Sequence, residues 1–160
     1  VRTGMTVKEA ANLLLTVDSD VRAPSETTNR TIMHTSEDGR HIIATDSIAF
    51  GTDADTGKNV LVTAGHTGRS AVPYLLKCSP WGFICSDGGK GMDNSGIIGL
   101  SIVEKSGLAG ATVDAKLARM GSGLSHYYDG VISAVNLHAK SRGVEIGMPA
   151  SEASLLLLEK

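Results

Sequence analysis

The sequence predicts an α/β fold, a three-layer sandwich with a short, mainly parallel sheet and a mixed edge hairpin. Three observations predict it. Short apolar runs of strand length at 60–64, 81–86 and 108–113 alternate with helical patterns at 71–78 and 95–106, the order of strand–helix–strand units. The runs are continuously apolar, as strands covered on both faces are. Ahead of them, 32–34 and 42–50 flank Asp38-Gly39, a hairpin signal. The chain has 160 residues, 41% apolar and 20% charged, which predicts one globular α/β domain over 1–160.

Each element has a local reason. A terminal helix is expected over about 6–16, because Glu9 follows Thr6 at capping-box spacing and Val7, Ala10, Ala11, Leu14 and Leu15 form one apolar stripe. The polar stretch 18–29, with Pro24, reads as a loop. Turns are expected at 36–40 and 51–57. The helix at 95–106 is expected to be capped by Asp93, Asn94 or Ser95 and to end at Gly107. One helical turn is expected within the polar stretch 114–125. A helix is expected over 129–142, stopping at Gly143, and a last one over about 149–159, with Pro149 in its first turn and Glu152 three residues on.

The two ends of the chain repeat each other. Residues 1–15 align without a gap on residues 144–158, with Gly, Met, Glu, Ala and the last leucines coinciding. Two copies at opposite ends do not make a solenoid. Shared helix-start grammar is one reading of the match. A pair of quasi-equivalent elements, packed side by side or across a homo-oligomer, is the other. Leu155, Leu156, Leu157 and Leu158 surround their helix and predict a buried terminal helix or a subunit interface.

Composition narrows the partners. The formal net charge is −2 and no Lys/Arg run builds a cationic face, which argues against nucleic acid or an anionic membrane. Scarce aromatics argue against base stacking. The opening residues lack the apolar stretch of a secretion signal, so the expected location is cytoplasmic. Cys78 and Cys85 have no metal-ligand or redox spacing and are expected as free thiols. The expected partners are a small polar molecule and further copies of the chain.

Three polar loops follow predicted strands, where an open parallel sheet binds ligands. The first, 64–70, carries Gly65, His66 and Arg69: glycines for close backbone approach, a proton-transfer group, and a clamp for carboxylate or phosphate. It has neither the Gly-Lys-Ser/Thr ending of a phosphate-binding loop nor the dinucleotide glycine spacing. The second, 85–96, interleaves Gly88 and Gly89 with Asp87, Lys90 and Asp93. The third, 113–125, carries Asp114, Lys116, Arg119 and Ser122, with the cations near enough in sequence to pair with Asp114 or Asp87.

The sequence also offers sharper constellations. His66, Asp87 and Asp114 offer donors for a divalent cation without a fixing motif. Cys85 with His66 offers a nucleophilic pair, although Cys85 alternates with Phe83 in a strand and reads as an inert core thiol. Ser86, Ser95 or Ser122 offers a triad serine without a nucleophile elbow. His126, Tyr127 and Tyr128 follow the third loop toward the same cleft.

The histidine-bearing glycine loop, its following helix and the later Gly-Leu-Ala-Gly-Ala-Thr-Val strand (107–113) resemble the swivelling phosphohistidine domains of phosphoenolpyruvate-utilising enzymes over about a third of the chain. The active-loop pattern of that family is not preserved, and the charged loop from Asp87 to Asp93 is foreign to it, so its activity is not carried over.

The functional expectation is a cofactor-independent hydrolase or lyase acting on a small polar, anionic substrate. His66 would transfer the proton, with Asp87 or Asp114 as complementary acid–base group. Lys90, Arg69 and Arg119 would hold charge, and Gly65, Gly88, Gly89 and Ser122 would supply donors. The alternatives are a small-molecule-binding or regulatory domain without catalysis and a structural subunit of a larger assembly.

Overall fold

A computed structural model describes residues 1–17 and 29–160; all but the last residue of the loop expected at 18–29 lies outside them. Six strands form one sheet in sequential order: β1 (Arg30–Thr35), β2 (His41–Thr45), β3 (Val60–His66), β4 (Gly82–Ser86), β5 (Ala109–Val113) and β6 (Ile132–Val135). β2 to β5 run parallel, while β1 and β6 are antiparallel edges. The described helices are α1 (Val7–Leu15), α2 (Val72–Cys78), α3 (Ile98–Glu104), α4 (Gly123–Tyr128), α5 (Leu137–Ser141) and α6 (Ala150–Glu159). This is the expected three-layer α/β sandwich with a hairpin at one edge.

Strand alternation divides the core in two. Leu61, Phe83 and Cys85 face Leu75, Leu100 and Val103 of α2 and α3. Val60, Val62, Ile84 and Ala111 point the other way, toward Ala139 of α5 and Leu157 and Leu158 of α6. Parallel strands that neighbour in sequence order require right-handed crossovers all on one face, and α2 and α3 pack together there. The opposite face is closed by α4 and α6, with α5 against β5. The winding never reverses, so no crevice opens between diverging helices. A binding site at this sheet must be made by loops.

Local chemistry accounts for the boundaries. At α1, Thr6 N–H donates to Glu9 Oε2 at 2.9 Å and Glu9 N–H to Thr6 Oγ1 at 3.3 Å, the expected capping box. The hairpin turn closes with Ser36 N–H on the Arg40 carbonyl at 2.9 Å, and Gly39 has φ 78°. The strand expected over 42–50 ends at Thr45. Asp46 turns to accept Gly123 N–H at 2.8 Å, and Ser47 caps the 3-10 turn Ile48–Phe50.

Two other expectations are corrected. The region 129–142 is not one helix but β6 followed by α5. Val131, Ile132 and Val135 carry the β preference of branched side chains. Asn136 then ends the strand: its Oδ1 accepts from Gly110 N and Ala139 N at 3.0 Å each, and its Nδ2 donates to the Leu108 carbonyl at 2.8 Å. The helix expected from 95 begins at Ile98, and no side chain caps it; Asp93 and Asn94 instead adopt left-handed backbone, φ 55° and 57°. The helical turn expected within 114–125 begins inside that stretch, at Gly123, and runs past it to Tyr128 as α4. Both cysteines are free and buried. Burial, aided by the Asp55 charge, pushes the Cys78 thiol up to about 11, and burial pushes Cys85 up as well, so neither is a ready thiolate.

Candidate functional site

β3 and β4 carry their last residues, His66 and Ser86, to the same level of the sheet. The loops beyond them border an open cavity of about 530 Å3, within the roughly 300–1,000 Å3 of small-molecule sites. His66, Arg69, Ser70, Gly88 and Ser95 line it, with Met120 from the third loop. A second recess of about 210 Å3 adjoins it, because His66 and Ser70 line both; Gly65, Ser47 and Tyr74 complete that recess.

His66 is exposed, yet its ring is fixed. Nδ1 accepts the Gly68 N–H at 2.9 Å, so the neutral ring carries its proton on Nε2, free for an acceptor in the cavity. Gly68 is required here: a Cβ would come within 2.7 Å of Nδ1. Beside it, Thr67 is buried and donates N–H to the Ser86 carbonyl at 3.1 Å, while its own carbonyl accepts Gly99 N–H at 2.8 Å. The histidine loop is thus tied to β4 below and to α3 behind.

The second loop is unusual in its backbone. Gly88, Gly89, Lys90 and Gly91 have φ of 59°, 73°, 64° and 64°, four successive left-handed residues, and Asp93 and Asn94 follow. For the non-glycine residues this conformation costs on the order of 1 kcal/mol each. Asp87 holds the loop in place. It is only 2% exposed; its Oδ1 accepts Gly89 N–H at 2.8 Å and Ala115 N–H at 3.0 Å, and its carbonyl accepts Lys90 N–H at 2.8 Å. Gly96 then packs its backbone on the Asp87 carbonyl, where any Cβ would collide. Asp87 therefore stitches the β4 and β5 loops together.

The residues expected at the site divide. His66, Arg69 and Gly88 meet in the main cavity, and Gly65 lies in the adjoining recess. Asp87 supports the wall, Gly89 donates to it, and Lys90 is exposed on the same loop without lining the cavity. Asp114 turns its Oδ1 to Lys116 N–H at 2.8 Å. Arg119 N–H donates to Ser125 Oγ at 2.9 Å. Ser122 caps α4 and lines a separate cavity of about 240 Å3 with Asp46 and Thr31.

Among the described residues the ion pairs are Arg30–Asp55 and Arg40–Asp38, so Lys116 and Arg119 do not pair with Asp114 or Asp87, and Arg69 has no carboxylate partner. Among the described residues no three His, Cys, Asp or Glu side chains converge as metal ligands; His66, Asp87 and Asp114 do not assemble a cation site. His126 is buried in α4, its Nδ1 donating to the Ser122 carbonyl at 3.0 Å.

The lining residues that no sequence signal singled out are Gly68, Ser70, Gly91, Gly96 and Met120, whereas Ser95 stood among the candidate serines. The first two stood inside a loop already singled out. Gly91 and Gly96 stood in the glycine loop beside Ser95, which read both as a helix cap and as a candidate nucleophile. Met120 carried no polar signal; it enters because its Sδ receives Ser86 Oγ–H at 3.3 Å. No helix among the described residues is long and apolar enough to cross a membrane. Compared with models of known protein families, with curated proteins and with solved structures, the chain matches none.

Proposed function

We infer that the chain is a small-molecule-binding domain whose ligand is a small polar anion, a phosphate or carboxylate held in the His66–Arg69 cavity. The observation that carries this reading is that Arg69, which has no carboxylate partner among the described residues, lines the same cavity as His66, whose Nε2 proton is left for an acceptor. Hydroxyls of Ser70 and Ser95 add neutral donors. An exposed guanidinium beside fixed neutral donors suits bidentate recognition of an oxyanion.

Binding is favoured over turnover by the hydrogen bonds already made. A histidine acting as base or acid is ordinarily oriented by a carboxylate on its second nitrogen. Here that nitrogen takes Gly68 N–H, and the Asp87 oxygen expected for the task takes two amides. Hydrolysis or elimination at the cavity would have to use His66 Nε2 alone against a ligand that Arg69 positions.

The test is titration of the 15N-labelled chain with inorganic phosphate and, separately, with malonate. Amide shifts centred on Gly68, Gly88 and Gly91 are expected, and Arg69→Ala should weaken the tighter anion at least about tenfold, about 1.4 kcal/mol. Saturating anion without shifts at those amides would end the reading.

A further inference from the structure

The repeat at the chain ends has a structural pattern beyond shared helix grammar. Residues 144–158 bury Val144, Ala150, Ala153, Ser154, Leu157 and Leu158. Their counterparts in the gapless alignment are Val1, Val7, Ala10, Ala11, Leu14 and Leu15. Four of these six are identical and the other two, Val for Ala and Ala for Ser, stay apolar or become so. Of the seven differences, three fall at exposed positions, Arg2 against Glu145, Thr3 against Ile146 and Thr6 against Pro149, and two at half-buried ones, Lys8 against Ser151 and Asn12 against Leu155.

The lead-in backbone matches too. Gly4 and Gly147 have φ of 93° and 94°, and the residues before the helices, Thr6 and Pro149, are both extended, at φ −67°, ψ 156° and φ −58°, ψ 139°. In the C-terminal copy this turn joins the sheet by main-chain bonds alone: Gly147 N–H to the Ile132 carbonyl, Ile132 N–H to the Met148 carbonyl, and Ala150 N–H to the Gly130 carbonyl, each 2.8 Å. Gly4, Met5 and Val7 carry the same three groups. Yet no residue of α1 is buried; Val7 is 87% exposed and Leu15 84%. One copy of the element is seated and the other presents the same face to solvent.

We propose that residues 1–15 are a second α6, a docking segment that enters the α6 groove of a second copy of this chain and takes the place α6 holds here. The groove is the sheet face lined by Val60, Val62, Ile84 and Ala111. Val7 brings two more methyl groups than Ala150 to the same tight position, and a chain's own α6 is tethered beside its groove. The exchanged form is therefore the minor one in the unaltered protein and grows when α6 is weakened.

Two measurements on the full chain test this. A spin label on Arg2→Cys, in an unlabelled-isotope copy mixed with 15N-labelled wild type, should broaden the amides of Gly130 and Ile132 across the molecular boundary; both native thiols are buried and should stay unlabelled. Separately, Leu157→Ala with Leu158→Ala should raise the mass in solution from monomer to dimer, and adding Leu14→Asn with Leu15→Asn should return it to monomer. The proposal is overturned if no intermolecular broadening reaches β6. It is equally overturned if the weakened chain keeps a monomer mass, including the case where Leu14 and Leu15 still alter its melting, which would place the exchange within one chain. If the weakened chain does not fold, the broadening measurement alone decides.

Discussion

The two ends of the parallel sheet are built on opposite principles. At the amino end, buried side chains answer buried polar groups, although the Trp81 indole N–H has no partner among the described residues. Asn59, 4% exposed, accepts His41 N–H at 3.0 Å and donates to Asp55 Oδ1 at 2.9 Å; Asn136 satisfies three backbone groups; and Arg142 donates to the Trp81 and Leu157 carbonyls while stacking 4.4 Å from the Trp81 ring centroid. At the carboxyl end, His66, Arg69 and Lys90 are exposed, and the backbone turns left-handed through the glycine loop. Satisfied buried polar groups fix a fold, whereas strained backbone with exposed donors keeps hydrogen-bonding capacity in reserve. Stability and ligand binding should therefore respond to different substitutions.

The largest separation is expected at Asn136. Asn136→Ala leaves Gly110 N–H, the Leu108 carbonyl and Ala139 N–H without partners beside the core. Unanswered buried backbone groups cost about 1–3 kcal/mol each, partly recovered by water, so a loss of about 3 kcal/mol is expected in a urea melt. Anion-induced shifts at Gly68 and Gly88 should be unchanged in the protein that remains folded. Weakened anion binding there would show that the two ends are coupled.

A pH series sharpens the comparison, because two buried groups titrate in separate windows. Burial holds the His126 imidazole below its ordinary value, and its Nε2 has no partner among the described residues. The unfolded chain then takes up the proton more readily than the folded one. The contribution of His126 is complete above pH 6.5 and falls as pH drops below it toward the folded value. For Asp55, burial pushes the carboxyl up, but Arg30 at 2.8 Å, Asn59 and the Thr52 N–H outweigh it and hold it below 3.8. Its contribution persists to about pH 3.8 and is lost only below. Melting temperature should thus decline in two steps, and His126→Leu should remove the upper one alone. A single step near pH 4 would mean that His126 is solvated.

Where residues could be read from the sequence, the cause was local. The central strands were legible because every residue from Val60 to Ala64 is buried and all but Thr63 are apolar. The capping box at Thr6 and the turn at Asp38-Gly39 are set within four residues. The helix expected over 129–142 failed because what decides there is distant: Asn136 is a cap for α5 and also a clip on Gly110 and Leu108, 26 and 28 residues away. The same holds at the site. His66 and Arg69 could be named from their loop. Asp87 could not be assigned its part without knowing that Ala115, on another loop, would donate to it, and nothing local marks Met120 as a wall.

The smallest expected effect tests whether the carboxyl-end strain serves the ligand. Lys90 sits at φ 64° between glycines, its N–H on the Asp87 carbonyl and its own carbonyl accepting Gly96 N–H, both at 2.8 Å. Lys90→Gly removes the left-handed penalty while keeping both bonds, and the entropy a glycine adds to the unfolded chain takes back part of the gain. A net stabilisation of up to about 1 kcal/mol is expected by thermal melt. If the lysine is kept for its charge, the exposed ammonium adds long-range attraction for an anion, so Lys90→Gly should weaken phosphate about two- to threefold at low salt and little at 0.5 M salt, where charges beyond a few ångströms are screened. A stabilised variant that binds equally well at both salt concentrations would assign Lys90 no part in binding and leave Arg69 as the cation that holds the ligand.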